Sequence, residues 1–172
     1  MAITKVSPSV VENQVVGRKN LIINGAMRVA QRSTSSTGSG DYVLDRFYQD
    51  YNGGTVTYAQ SSLSSSDTPY SHGFRKSIKL TNTSTGSDAA NNYVRFQQRI
   101  EAQNLSNSGW NYTSDTSFVT LSFWAKSSLA GTYTISLKNI ESSASEDYAF
   151  EFTLTANTWK KVTHAIKGNS EI

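Results

Sequence analysis

"VTLSFWAKSSLAGTYTISLK", residues 119–138, alternates apolar and polar side chains twice over. Val119, Leu121, Phe123 and Ala125 fall on one side of an extended chain, and Thr120, Ser122, Trp124 and Lys126 on the other. A period of two marks a strand with one buried face. Tyr133, Ile135 and Leu137 repeat the pattern against Thr132, Thr134, Ser136 and Lys138. Between the runs, Ser127-Ser128-Leu129-Ala130-Gly131 is short and ends in glycine, so the pair reads as a hairpin.

Working outward, Tyr148, Phe150, Phe152 and Leu154 alternate in the same way, as do Val162, His164 and Ile166. Weaker strands are expected over 42–51, 55–60, 74–81 and 93–102, and the run at residues 20–33 adds another. In residues 93–102 Val94, Phe96 and Ile100 are expected to point inward, which leaves the Gln98 amide on the core face in need of hydrogen bonds. Polar stretches rich in Ser, Thr, Asn, Asp and Gly (33–40, 61–69, 81–92, 106–116) read as loops. About eight to nine antiparallel strands cannot lie in one open sheet without leaving an apolar face wet, so the expected fold is an all-β sandwich.

Composition agrees. Of 172 residues, 37% are hydrophobic and only 17% charged, a balance suited to short strands and turns rather than long helices. With no cysteine there is no disulfide framework, and two histidines leave little for a transition metal, so neither a cofactor nor a redox role is expected. The opening MAITKVSPSVV has no basic-then-apolar signal region and no run has the length of a membrane helix, so a product made in a cytoplasm, without membrane insertion, is expected. The net charge of +3 comes largely from Lys5, Arg18, Lys19, Arg28 and Arg32. Without a dense Lys/Arg block, a nucleic-acid partner is not expected.

Residues 1–19 read as a separate arm. Ser9-Val10-Val11-Glu12 has the spacing of a capping box, Gly17 can end the helix, and Val11 and Val15 lie one turn apart. About two turns of helix are not stable alone in water, so such a segment is either a frayed end or one that docks on a partner.

"NLIINGAMRVAQRS" (20–33), "YVLDRFY" (42–48), "SIKL", "FQQRIE", "TLSFWAKSS", "YTISL" and "WKKVTHAIKG", in this order, resemble a domain of phage tail-fibre and other virion structural proteins, often likened to carbohydrate-binding jelly rolls. The resemblance covers about residue 20 to the end. Ser33 stands where the family usually has glycine, and Phe47 where it usually has tryptophan. Family members usually continue into a further strand after the last motif, so the sandwich of residues 20–172 is expected either to be completed by a neighbouring subunit or to continue in a longer fibre. The resemblance implies a jelly-roll-like sandwich in a virion, built as a homo-oligomer and most simply as a trimer. It also implies that residues 1–19, with Val10, Val11, Val15, Arg18 and Lys19, attach the protein to tail, portal or capsid proteins.

Two groups of residues are candidates for function. Asn24, Gly25, Gln31, Arg32, Asp45 and Arg46 offer a positive-φ turn and an arginine fork facing a carboxylate; we read them as a polar latch at a sheet end, with a sugar-binding groove as the alternative. Sugar recognition combines an aromatic face with planar polar groups, for which Trp110 and Tyr112 in one loop and Tyr70 and His72 in another fit best, with Trp124 on the polar side of its strand as a third place. A host surface glycan is thus the alternative partner. Thirteen acidic residues follow no glycosidase pattern, and His72 and His164 lie in no nucleophile elbow, so no enzyme is expected.

Overall fold

Nine strands and two short helices, all antiparallel in their pairing, make up the described part of the computed structural model, residues 20–84, 86, 89–138 and 147–168. The expected attachment arm, with Val10, Val11, Val15, Arg18 and Lys19, lies outside these residues. Where one sandwich was expected from residue 20 onward, the chain divides after Glu101 into two units, and each sheet draws its strands from a single unit.

The first unit holds β1 (Ser35–Ser36), β2 (Phe47–Asn52), β3 (Thr55–Ser62), α1 (Thr68–Ser71), β4 (Lys76–Ser84) and β5 (Tyr93–Gln98). One sheet has the order β1-β3-β4 and the other pairs β2 with β5. Val43, Leu44, Phe47, Val56 and Tyr58 are buried together, with Ile22, Met27, Ala30, Tyr51, Ile78 and Phe96 packed around them. Alternation explains the core: Phe47, Gln49 and Tyr51 share one side of β2, and Val56 and Tyr58 one side of β3. The Phe47 and Phe96 rings stack with centroids 4.6 Å apart. Tyr58 crosses from one sheet to the other, its hydroxyl lying 3.0 Å from the Asp50 carbonyl in β2 and 3.2 Å from the Arg95 carbonyl in β5. Burial pushes the Tyr58 phenol up to about 12.

Gly53 and Gly54 make the turn between β2 and β3 at φ 78° and 73°. A Cβ on Gly54 would sit 2.8 Å from the Ser84 carbonyl, so both backbone conformation and space require glycine there.

The second unit, from Ala102 onward, holds α2 (Ala102–Ser106), β6 (Phe118–Ala125), β7 (Gly131–Lys138), β8 (Asp147–Leu154) and β9 (Lys160–Lys167). β6 pairs with β9 and β7 with β8. The two ladders pack face to face: Phe123 of β6 meets Phe152 of β8 edge to face at 5.3 Å, and Phe150 of β8 stacks on His164 of β9 at 3.8 Å. Trp110, Leu154, Val162 and Ile166 are buried, and Leu121, Phe123, Phe150 and Phe152 are half-buried.

Three expectations are corrected. Residues 20–33 are not a strand, because Asn24 and Met27 take left-handed backbone conformations, φ 57° and 55°, and residues 23–26 turn. β6 and β7 do not form a hairpin. Period two specifies which face a residue takes but not which strand lies beside it, and the linker 126–130 serves as a corner between sheets. That corner is held by the Tyr133 hydroxyl, which reaches Ser127 Oγ at 2.6 Å and the Leu129 carbonyl at 3.0 Å, and by the Asn157 N–H donating to the Ser127 carbonyl at 2.7 Å. Finally, β5 stops at Gln98 and Ala102 opens α2; Val94 and Ile100 are exposed, and of the three expected inward residues Phe96 packs on the core.

Candidate functional site

Asn24 organises the polar latch. Its Oδ1 accepts the N–H groups of Arg28 and Val29, both at 3.0 Å, and its Nδ2 donates to the Val29 carbonyl at 2.9 Å and the Asp45 carbonyl at 3.1 Å. A left-handed residue with a short amide suits this place, since the side chain satisfies the backbone groups that the turn strips from a ladder. The positive φ therefore sits on Asn24 rather than on Gly25, whose added Cβ would meet Ile22 Cγ2 at 3.2 Å.

Asp45 closes the other side. Its Oδ1 accepts the Gln31 N–H at 3.0 Å, and its own N–H donates to the Val29 carbonyl at 3.1 Å. The arginine fork expected between the two motifs does not form: Arg32 lies over the Tyr42 ring at 5.3 Å, and Arg46 pairs with Glu101 at 2.7 Å. Both partners of that ion pair are well exposed, so its contribution is small. Gln98 completes the cluster, accepting the Ile23 N–H at 2.8 Å and donating to the Ile23 carbonyl at 2.7 Å.

Further along β2, Asp50 gathers Ser39 Oγ at 2.6 Å, the Tyr93 hydroxyl at 3.2 Å and Arg95 Nε at 3.1 Å, with Arg95 Nη2 closer still. Foremost the Ser39 hydroxyl, and then Arg95 and Tyr93, hold its carboxyl below the usual carboxylate range against the opposing effect of desolvation. A carboxylate so fully engaged is a structural acceptor rather than a general base.

The aromatic candidates differ in exposure and in what covers them. Trp110 is 7% exposed, with no hydrogen-bond partner for its Nε1 among the described residues, and a ring so buried offers no face to a sugar. Its neighbour Tyr112 is 49% exposed. Tyr70 ends up under the Arg75 guanidinium, 3.8 Å from the ring centre, and Arg75 is also tied to the Tyr70 carbonyl at 2.8 Å. His72 caps the end of α1 through its N–H to the Pro69 carbonyl. Trp124 falls in step with the exposed Phe118, Thr120 and Ser122 of β6 but is itself half-buried. Trp159, which the sequence reading passed over, immediately precedes β9 and is half-buried, with the Lys126 ammonium 4.9 Å from its ring centre. The alternation of each strand carries the signal, but only the β6–β9 pairing brings the two tryptophans to one sheet.

Among the described residues no three His, Asp or Glu side chains gather as a metal site, and no helix is long and apolar enough to cross a membrane. No family model, no curated protein and no solved structure matches the chain.

Proposed function

We propose that the chain is a structural component of a phage particle, a tail fibre or fibre-like appendage that contributes to host attachment. Residues 1–19 attach it to tail, portal or capsid proteins, and three copies assemble around one axis in a virion completed in the host cytoplasm. The observation that carries this reading is the latch. The stretches 20–33, 42–48 and 96–101, which bear the resemblance to virion proteins, meet through Asn24, Asp45, Gln98 and the Arg46 to Glu101 pair. Nearly all of these groups bind backbone and hold the chain to itself, as residues of a scaffold do.

Strand edges support the oligomer. β6, β7, β8 and β9 each have a ladder partner on one side only among the described residues. Open edges invite pairing with another chain, and a symmetric assembly covers them. The jelly-roll connectivity implied by the motifs belongs to the same proposal.

Labelling purified particles with an antibody to this chain, followed by electron microscopy, tests the reading. Label on the tail, portal or a capsid appendage is expected; particles free of the protein overturn it. Sedimentation equilibrium of the full chain should give three times the monomer mass, and a monomer would remove the trimer from the proposal.

A further inference from the structure

The β6–β9 ladder has an outer face as well as a core face. Opposite Val119, Leu121 and Phe123, β6 places Phe118, Thr120 and Ser122, all exposed, and the half-buried Trp124; opposite Val162, His164 and Ile166, β9 turns out Lys161, Thr163, Ala165 and Lys167. Register pairs Phe118 with Lys167, Thr120 with Ala165, Ser122 with Thr163, and Trp124 with Lys161. Just beyond the last ladder pair, Ala125 with Lys160, the Lys126 ammonium lies 4.9 Å from the centre of the Trp159 ring.

One end of the face is thus a checkerboard of two tryptophans and two lysines. The other end carries Phe118, 59% exposed, beside Lys167. Between them Thr120, Ser122, Thr163 and Ala165 form an exposed floor of small side chains, three of them hydroxylated. Six strand positions separate Phe118 from Trp124, a span of about 20 Å. Three lysines and no acid occupy these positions.

We propose that this face binds a linear polysaccharide bearing carboxylates, a uronic-acid glycan lying along the strands. The exposed Phe118 ring and the exposed parts of the half-buried Trp124 and Trp159 pack on the apolar faces of sugar rings, the hydroxyl floor exchanges hydrogen bonds with sugar hydroxyls, and the ammonium groups of Lys161 and Lys167 meet carboxylates. Charge complementarity selects the acidic partner. A second copy of the face would set lysine against lysine. Single-stranded nucleic acid fits less well, because the face has no arginine and its aromatic ends stand too far apart to stack successive bases. The proposal is independent of the virion reading: absence from particles leaves it intact, and loss of glycan binding leaves the particle location intact.

The full chain is titrated calorimetrically with oligomers of polygalacturonate, alginate and hyaluronate, with the methyl-esterified polygalacturonate oligomer as the uncharged control and oligo-dT as the nucleic-acid control. At least one acidic glycan should bind, and more weakly as salt rises. Where polygalacturonate binds, its methyl ester should bind about tenfold or more weakly, the loss of its charge contacts. Trp124→Ala and Trp159→Ala should each lower affinity about tenfold, while Tyr112→Ala changes nothing. Ala165→Glu, an exposed change on the floor that leaves both tryptophans in place, should abolish binding by charge and bulk. Circular dichroism of each variant separates lost binding from lost fold. Binding to none of the three acidic glycans, equal binding of the ester, preference for oligo-dT, or full affinity in folded Ala165→Glu overturns the proposal.

Discussion

Gln98 holds Ile23 by both of its backbone polar groups, accepting the N–H at 2.8 Å and donating to the carbonyl at 2.7 Å. A side-chain amide here stands in for a neighbouring strand. It satisfies two groups that the turn at residues 23–26 leaves unpaired, and in return its own oxygen and nitrogen are paired on the half-buried side of β5.

Gln98→Leu keeps the volume and removes both bonds while Ile23 retains its unpaired N–H and carbonyl. Because these bonds are open to water, which can pair the freed groups, a loss of about 0.5–1.5 kcal/mol is expected from urea unfolding followed by circular dichroism. Gln98→Glu keeps the acceptor, loses the donor and should fall between the two.

Asp50 makes stability depend on acid. Its folded carboxyl titrates below the usual range, so its contribution is complete above the ordinary carboxylate value and is lost as pH falls through the lower folded value. Melting temperature measured from pH 7 downward should drop more steeply in the native chain than in Asp50→Asn. Parallel acid limbs in the two proteins would refute this role.

Tyr58 acts at the other end of the scale. Because its phenol is raised to about 12, the neutral folded form is favoured, and that stability is present below the ordinary value near 10 and is lost as pH climbs from there toward 12. Tyr58→Phe should be less stable by about 1 kcal/mol at neutral pH, since it gives up the hydroxyl contacts between sheets, and should show a flatter alkaline limb.

Gly168 follows β9 and is buried against the loop 111–117, its N–H donating to the Ser117 carbonyl at 2.9 Å. A Cβ there would lie 2.3 Å from the Asn111 carbonyl oxygen and 2.7 Å from that of Ser114, both backbone atoms with little room to yield. Gly168→Ala should cost about 1–3 kcal/mol by overpacking, read as a lower unfolding midpoint, whereas Gly131→Ala, where the added atom meets nothing within 4 Å, serves as the tolerant control.

Local alternation settled much in advance. Val119, Leu121 and Phe123 turn toward the interior and Thr120 and Ser122 toward water, as period two dictates, because a strand's side chains take opposite faces whatever strand lies beside it. The all-β class and the need of Gln98 for partners were equally legible, since both follow from residue type and spacing. Partnership was not. That β6 lies beside β9 rather than β7, that Asn24 bends a run of apolar residues out of any sheet, that Trp110 goes inside while Trp124 and Trp159 come to the same sheet, and that Arg46 finds Glu101 are all decided by contacts between segments far apart in the chain. Hydrophobic patterning is a property of neighbours in sequence. Pairing is chosen by the fold as a whole, through which apolar faces can close on each other and which polar groups find a match as they do.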